Sequence, residues 1–316
     1  MTDLYFVPLG TALGASVDLE DLPELDAEQA ARYRSFGYER VRVTDTDPFA
    51  LCAEAALADP AFEAHRDKVD LLTYAIEPLV QSSNNWMLNQ AQWQVPDIRW
   101  LVQRLEVNPE RIVGLSMYNC ATFLSGLDLA AMAIRSGAAR TALALVAGVS
   151  NEHSPRIPHA FHIQSDGATG FLVTPDSAAG GYLLRAHVLD FVNPGEFRDL
   201  DGTIDESRYF SLKALKIRSM VERLLAAAGL RPDEIDHVFV QNLGRESMLK
   251  YGRLCGVNPD RVWLGTLADN AHVIGIDSLV NLHAYHRTRP SGRPGRLLVL
   301  GTSGMSWGGM VLEHQD

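Results

Sequence analysis

Ile112-Val113-Gly114-Leu115-Ser116-Met117-Tyr118-Asn119-Cys120-Ala121-Thr122-Phe123-Leu124-Ser125-Gly126-Leu127 runs from an apolar strand through a short turn into an apolar helix of small residues. The helical pattern continues to Ser136 and stops at Gly137, a residue suited to the end of a helix. Thr141-Ala142-Leu143-Ala144-Leu145-Val146 then reads as a second strand, and Val69 to Ala75 upstream as a further buried one. Strand, helix and strand at this spacing form a βαβ unit, which predicts a parallel sheet in an α/β fold.

The second half repeats the style. Strands are expected at Tyr182 to Val192, His237 to Gln241, Arg296 to Leu300 and Gly309 to Glu313, with helices at Leu212 to Ala228, Met248 to Cys255 and Ser278 to His286. Residues 196–206 are polar and acidic and read as an exposed connection. The stretch Thr174 to Gly181 divides the chain into two α/β halves, 1–173 and 174–316.

A chain of 316 residues fits two ordinary domains or one large α/β unit. With 47% hydrophobic and 21% charged residues it is not wholesale disordered. No apolar run approaches the roughly 20 residues a spanning helix needs, and Met1-Thr2-Asp3 opens no charged-then-apolar leader. The expectation is a cytoplasmic protein without membrane contact. The 28 basic and 39 acidic residues leave a net charge of −11, which argues against broad nucleic-acid binding. Cys52, Cys120 and Cys255 form neither a disulfide framework nor a metal-ligand spacing.

Cys120 is the most informative position. At a helix start it would feel the positive end of the helix dipole, which favours the thiolate; the other reading is a packed core thiol. A cysteine nucleophile needs a base. His272, among small residues and glycine, supplies a candidate, with Asp277 placed to orient the imidazole through its other nitrogen. The alternative is a loop histidine followed by an Asp that caps the Ser278 helix. Ser165-Asp166-Gly167-Ala168-Thr169-Gly170 and Gly301 to Gly309 lack the Gly-Lys-Ser/Thr of a phosphate loop. They read either as close backbone approaches or as ordinary turns, and the second is a candidate source of an oxyanion N–H at Ser303 or Gly304.

Taken in order, these pieces resemble the thiolase superfamily, and within it ketoacyl-acyl carrier protein synthase III. The resemblance is carried by Asn119 to Leu127, by Ile134-Arg135-Ser136-Gly137, by Ser165 to Gly170 and by Gly301 to Gly309. It implies a duplicated αβαβα fold in five layers, a homodimer, and an acyl group carried on Cys120. The family's catalytic His lies in a His-Gln-Ala-Asn motif; that place reads Gln241-Asn242-Leu243-Gly244, so Gln241 replaces the His. The family's Asn falls at His272. The His/Asn pair supports decarboxylation of a malonyl unit, and its loss points to another task.

A single His with an Asp a little more than one helical turn later is similar to a branch that forms esters or amides in antibiotic and polyketide pathways; related members select starter units. The expected function is therefore acyl transfer from a carrier-protein or coenzyme A thioester, through Cys120, to a small-molecule hydroxyl or amine. His272 would be the general base and Asp277 its orienting partner, and no metal or redox cofactor is implied. Two rivals remain: a decarboxylating or starter-selecting condensing enzyme, and a non-catalytic partner of the same fold. Tyr33 to Val41 lacks the Trp of coenzyme A-binding members, which favours a carrier-protein donor. Lys213, Lys216, Arg218 and Arg245 are either a basic docking patch or a solvated helix face. Gln81 to Gln90 reads as a pocket lining, a dimer contact or a capped helix start.

Overall fold

A computed structural model describes residues 2–77, 98–115, 119–150, 155–157, 162–191, 206–288, 295–304 and 306–314. Gln81 to Gln90 and nearly all of the acidic connection lie outside these residues. The strands are β1 (Tyr5–Leu13), β2 (Ala15–Asp18), β3 (Arg40–Val43), β4 (Val69–Glu77), β5 (Arg111–Leu115), β6 (Thr141–Gly148), β7 (Gln164–Ser165), β8 (Gly167–Thr174), β9 (Tyr182–Phe191), β10 (His237–Phe239), β11 (His272–Val273), β12 (Arg296–Thr302) and β13 (Ser306–His314).

Nine of them form one mixed sheet in the order β10-β12-β13-β9-β1-β8-β6-β4-β5. In the first half β4 runs parallel to β5 and β6, and the β6–β8 and β8–β1 pairs are antiparallel. In the second half β10 runs parallel to β12, and β12–β13 and β13–β9 are antiparallel. The same succession of one parallel and two antiparallel pairings thus occurs twice. The halves join where Tyr5 and Phe6 of β1 face Leu183 and Tyr182 of β9.

The helices complete five layers. The helix Pro48–Leu57 covers β1, β6 and β8 from outside. It starts cleanly because Asp47 accepts hydrogen bonds from the Phe49 and Ala50 N–H groups and Pro48 presets the first turn. Thr122–Arg135 packs on β4, β6 and β8 and also on β9, β12 and β13, so it lies between the halves. Asp277–Thr288 shares that middle layer, against β1, β10 and β12. Glu206–Ala228 covers β9 and β13 from the other outside. The result is αβαβα. Strands covered on both faces need apolar residues throughout, and every residue of β6 (TALALVAG) and β8 (GATGFLVT) is buried.

Of the two readings of Ser165 to Gly170, close backbone approach holds: Gly167 and Gly170 lie within β8, and a Cβ on either would stand 3.1 Å from a neighbouring strand's carbonyl oxygen. The apolar N-terminal segment is a full strand at the junction of the halves, which its sequence alone does not reveal.

Asp166 holds this region together. Its carboxylate is fully buried, pairs with the Arg156 guanidinium at 2.8 Å, and accepts from the Thr44 and Ser150 N–H groups at 3.0 and 2.8 Å. Beside it Ser165 Oγ accepts from the Arg42 N–H. The cluster fixes β7, on which β11 lies in parallel register with His272 opposite Gln164. Asp166→Ala leaves Arg156 buried without its anion and is expected to cost about 3–5 kcal/mol in chemical denaturation. Replacing Arg156 by Met as well should restore part of the loss. A cost below about 1 kcal/mol for the single variant would deny the pair this role.

Candidate active site

The nucleophile turn and the histidine loop come from opposite halves, and glycines let them approach. Cys120 sits in the 3-10 turn Asn119–Ala121, just ahead of the helix N-cap at Ala121. A Cβ on Gly301, within β12, would stand 2.8 Å from the Cys120 carbonyl oxygen. A Cβ on Gly148, at the end of β6, would stand 2.2 Å from the Ile274 carbonyl oxygen in the histidine loop. Only glycine permits either contact.

The approach brings Cys120 Sγ to 3.8 Å from His272 Nε2. The ring's other nitrogen, Nδ1, bonds to Asp277 Oδ2. Asp277 is fully buried at the first turn of its helix and accepts two more hydrogen bonds, from Val273 N–H at 2.6 Å and Asn242 N–H at 3.1 Å. Three donors thus fix the carboxylate, and the carboxylate fixes the ring. Asn242 is itself held: its Nδ2 donates to the Ala271 carbonyl at 2.8 Å, and its Oδ1 accepts from Asn281 Nδ2 at 3.1 Å. Tyr38 Oη donates to the Asn242 carbonyl at 2.8 Å. Ala271, just before His272, has a φ of 44°, an uncommon conformation for a residue with a Cβ. Such strain persists only where the surroundings enforce it.

The electrostatics follow from these contacts. Burial opposes a charge on His272, but the Asp277 charge and hydrogen bond, aided by Cys120, outweigh it and raise the imidazole to about 10. Cys52 and Cys255 are buried and pushed up by burial, Cys255 to about 12. Cys120 is the partly exposed thiol of the three.

Gln241 is placed differently from a base. Its Nε2 donates to the Thr302 carbonyl, and its Oε1 accepts from Thr302 Oγ1 at 2.9 Å. Both ends of the amide are occupied by β12. Ser303 is also engaged, since its N–H donates to the Ser306 carbonyl at 2.7 Å. Of the Tyr33 to Val41 segment, Tyr38 reaches the histidine network, through the Asn242 carbonyl. Lys213 is part-buried and does not belong to an outward docking face; Arg218 and Arg245 are exposed. Sequence reasoning missed His162, whose ring stands edge-on to His272 with centroids 4.8 Å apart. Its position three residues before Ser165, close to the motif at 165–170, was the available signal.

Comparison with known proteins bears on the fold. Residues 225–314 match the family model for the C-terminal part of 3-oxoacyl-[acyl-carrier-protein] synthase III. Synthase III, FabH, from Pseudomonas aeruginosa PAO1 superposes with a TM-score of 0.77 at 18% identity, over 99% of both chains. The chain has the synthase III form of the thiolase fold. That fold is shared with ChlB3, described as an acyltransferase, with a TM-score of 0.76 at 22% identity over 98% of this chain and 97% of that one. It is also shared with the priming β-ketosynthase of the R1128 polyketide pathway, with a TM-score of 0.74 at 17% identity over 99% and 96%. No curated protein matches the chain by sequence. No helix among the described residues of this synthase III-like chain is long and apolar enough to cross a membrane.

The raised imidazole has a consequence for stability. A group protonated more tightly when folded contributes fully below its unfolded value of 6.5, and that contribution is lost as the pH rises through about 10. Asp277→Asn removes the main cause. The fall in denaturation midpoint between about pH 6 and about pH 10 should be smaller in the variant than in the parent. An equal fall in both would show that Asp277 does not hold the imidazolium.

Proposed function

We propose that the chain is an acyltransferase of secondary metabolism, which moves an acyl group from a carrier-protein or coenzyme A thioester through Cys120 to a hydroxyl or amine. The observation that carries this reading is the Cys120–His272–Asp277 alignment, with Gln241 locked onto Thr302 at the place of a second imidazole. Likeness to an acyltransferase and to a priming ketosynthase of a polyketide pathway supports it.

Cys120 Sγ attacks the thioester carbonyl while the proton between the two groups stands on His272 Nε2. The tetrahedral intermediate collapses, the bond to the donor sulfur breaks, and the leaving thiolate takes that proton. In the acyl-enzyme the thiol no longer supports the imidazolium, so the proton affinity of His272 falls and neutral imidazole becomes available as a base. It accepts the proton of the acceptor O–H or N–H as that atom attacks the acyl carbon. The bond to Sγ then breaks, and the proton on His272 Nε2 again stands between the ring and Sγ. The oxyanion of each intermediate faces the first N–H groups of Thr122–Arg135, whose N-cap residue Ala121 offers no side-chain cap, together with Gly304.

This reading includes a homodimer. β5 is an edge strand of the large sheet, and its Ile112 is 44% exposed, which suits pairing with a second copy.

A condensing enzyme needs donors for an enolate after loss of carbon dioxide. The Gln241 amide is engaged, which disfavours that reaction. Intact-protein mass spectrometry with a panel of acyl-carrier and acyl-coenzyme A thioesters tests the reading. An adduct is expected on the parent and not on Cys120→Ala. His272→Ala should slow transfer to an acceptor by about 10²–10⁴-fold. Carbon dioxide release from a malonyl donor would favour the condensing enzyme, and no adduct from any donor would favour a non-catalytic partner.

A further inference from the structure

Lys213 lies on the inward side of Glu206–Ala228 and takes no part in the steps above. Its Nζ donates to Tyr209 Oη at 3.5 Å and stands 5.7 Å from the centroid of that ring. Tyr209 Oη is 4.0 Å from the point a Cβ on Gly304 would occupy, so the pair stands beside the loop near Cys120. Lys213 is also within electrostatic reach of Cys120. Further along the same helix Glu222 pairs with Arg218, and Arg223 pairs with Asp190. Among the described residues no carboxylate pairs with Lys213.

A part-buried ammonium without a counter-ion is unfavourable. Burial lowers the Lys213 pKa, and Cys120 works against that lowering. Acylation caps the thiol and removes the one anion that Cys120 can offer. Among the described residues, the acyl-enzyme then offers Lys213 no anion.

We infer that Lys213 is a specificity-determining residue that selects acyl groups carrying a carboxylate of their own. The inference rests on the acyl-Cys120 reading. The acyl carboxylate accepts a charge-assisted hydrogen bond from Nζ. Only binding is involved; the transfer chemistry is unchanged.

The test is the rate of Cys120 loading, followed by intact mass, with N-acetylcysteamine thioesters in matched pairs: succinyl against butyryl, and glutaryl against valeryl. The parent is expected to load at least one diacid about tenfold or more faster than its neutral partner. Lys213→Met should bring that ratio close to one, and Lys213→Arg should retain much of it. A general folding defect slows both members of a pair and leaves the ratio alone, so the ratio reports recognition. A parent that loads both members of each pair equally overturns the inference and leaves the acyl-cysteine reading standing. So does a ratio that survives in Lys213→Met. Failure of every thioester to load overturns the acyl-cysteine reading, and this inference with it.

Discussion

A buried carboxylate with three donors organises the centre of this molecule. Asp277 accepts from the imidazole of His272 and from the N–H groups of Val273 and Asn242. An anion in such a place is tolerable only because every donor is fixed, and each donor ties down another part of the fold. Asn242 fixes the end of the β10 segment. Val273 fixes β11, which lies against β7 and so against the Asp166–Arg156 pair. Through His272 the same carboxylate sets the proton affinity of the group facing Cys120.

The five layers explain why such a centre needs both halves. Thr122–Arg135 and Asp277–Thr288 share the middle layer, one bringing the thiol at its start and the other the carboxylate at its start. Neither half contains both groups. Two glycine contacts, at Gly148 and Gly301, set how closely the two loops meet. The outer helix Glu206–Ala228 then brings Tyr209, with Lys213 bonded to it, to Gly304 of the loop after β12.

Much of this was legible in the sequence because it rests on periodicity. Strands buried on both faces read as apolar runs, and β4, β6 and β12 follow from that alone. The nucleophile helix is legible from its small residues and its stop at Gly137. The partnership of Cys120 with His272, 152 residues apart, is suggested by the small residues around His272 and by Asp277 after it, and the order of motifs reinforces it. Other features left no such mark. Gly167 and Gly170 resemble a turn because glycine needed for close sheet packing looks the same as glycine needed for a bend. Lys213 resembles a surface residue because a helix shows its register only when its partners are known. The support beneath Asp277, from Tyr38, Asn242 and Asn281, consists of neutral polar contacts across long separations, which carry no sequence period.

The central claim is that Asp277 and Cys120 together control the protonation of His272. The direct measurement is the titration of the His272 ring nitrogens by NMR, in the free protein and after the Cys120 thiol is capped. The account requires an imidazole that titrates near 10 when free and distinctly lower once Cys120 is capped. Titration near the ordinary value of 6.5, unmoved by the cap, would contradict it.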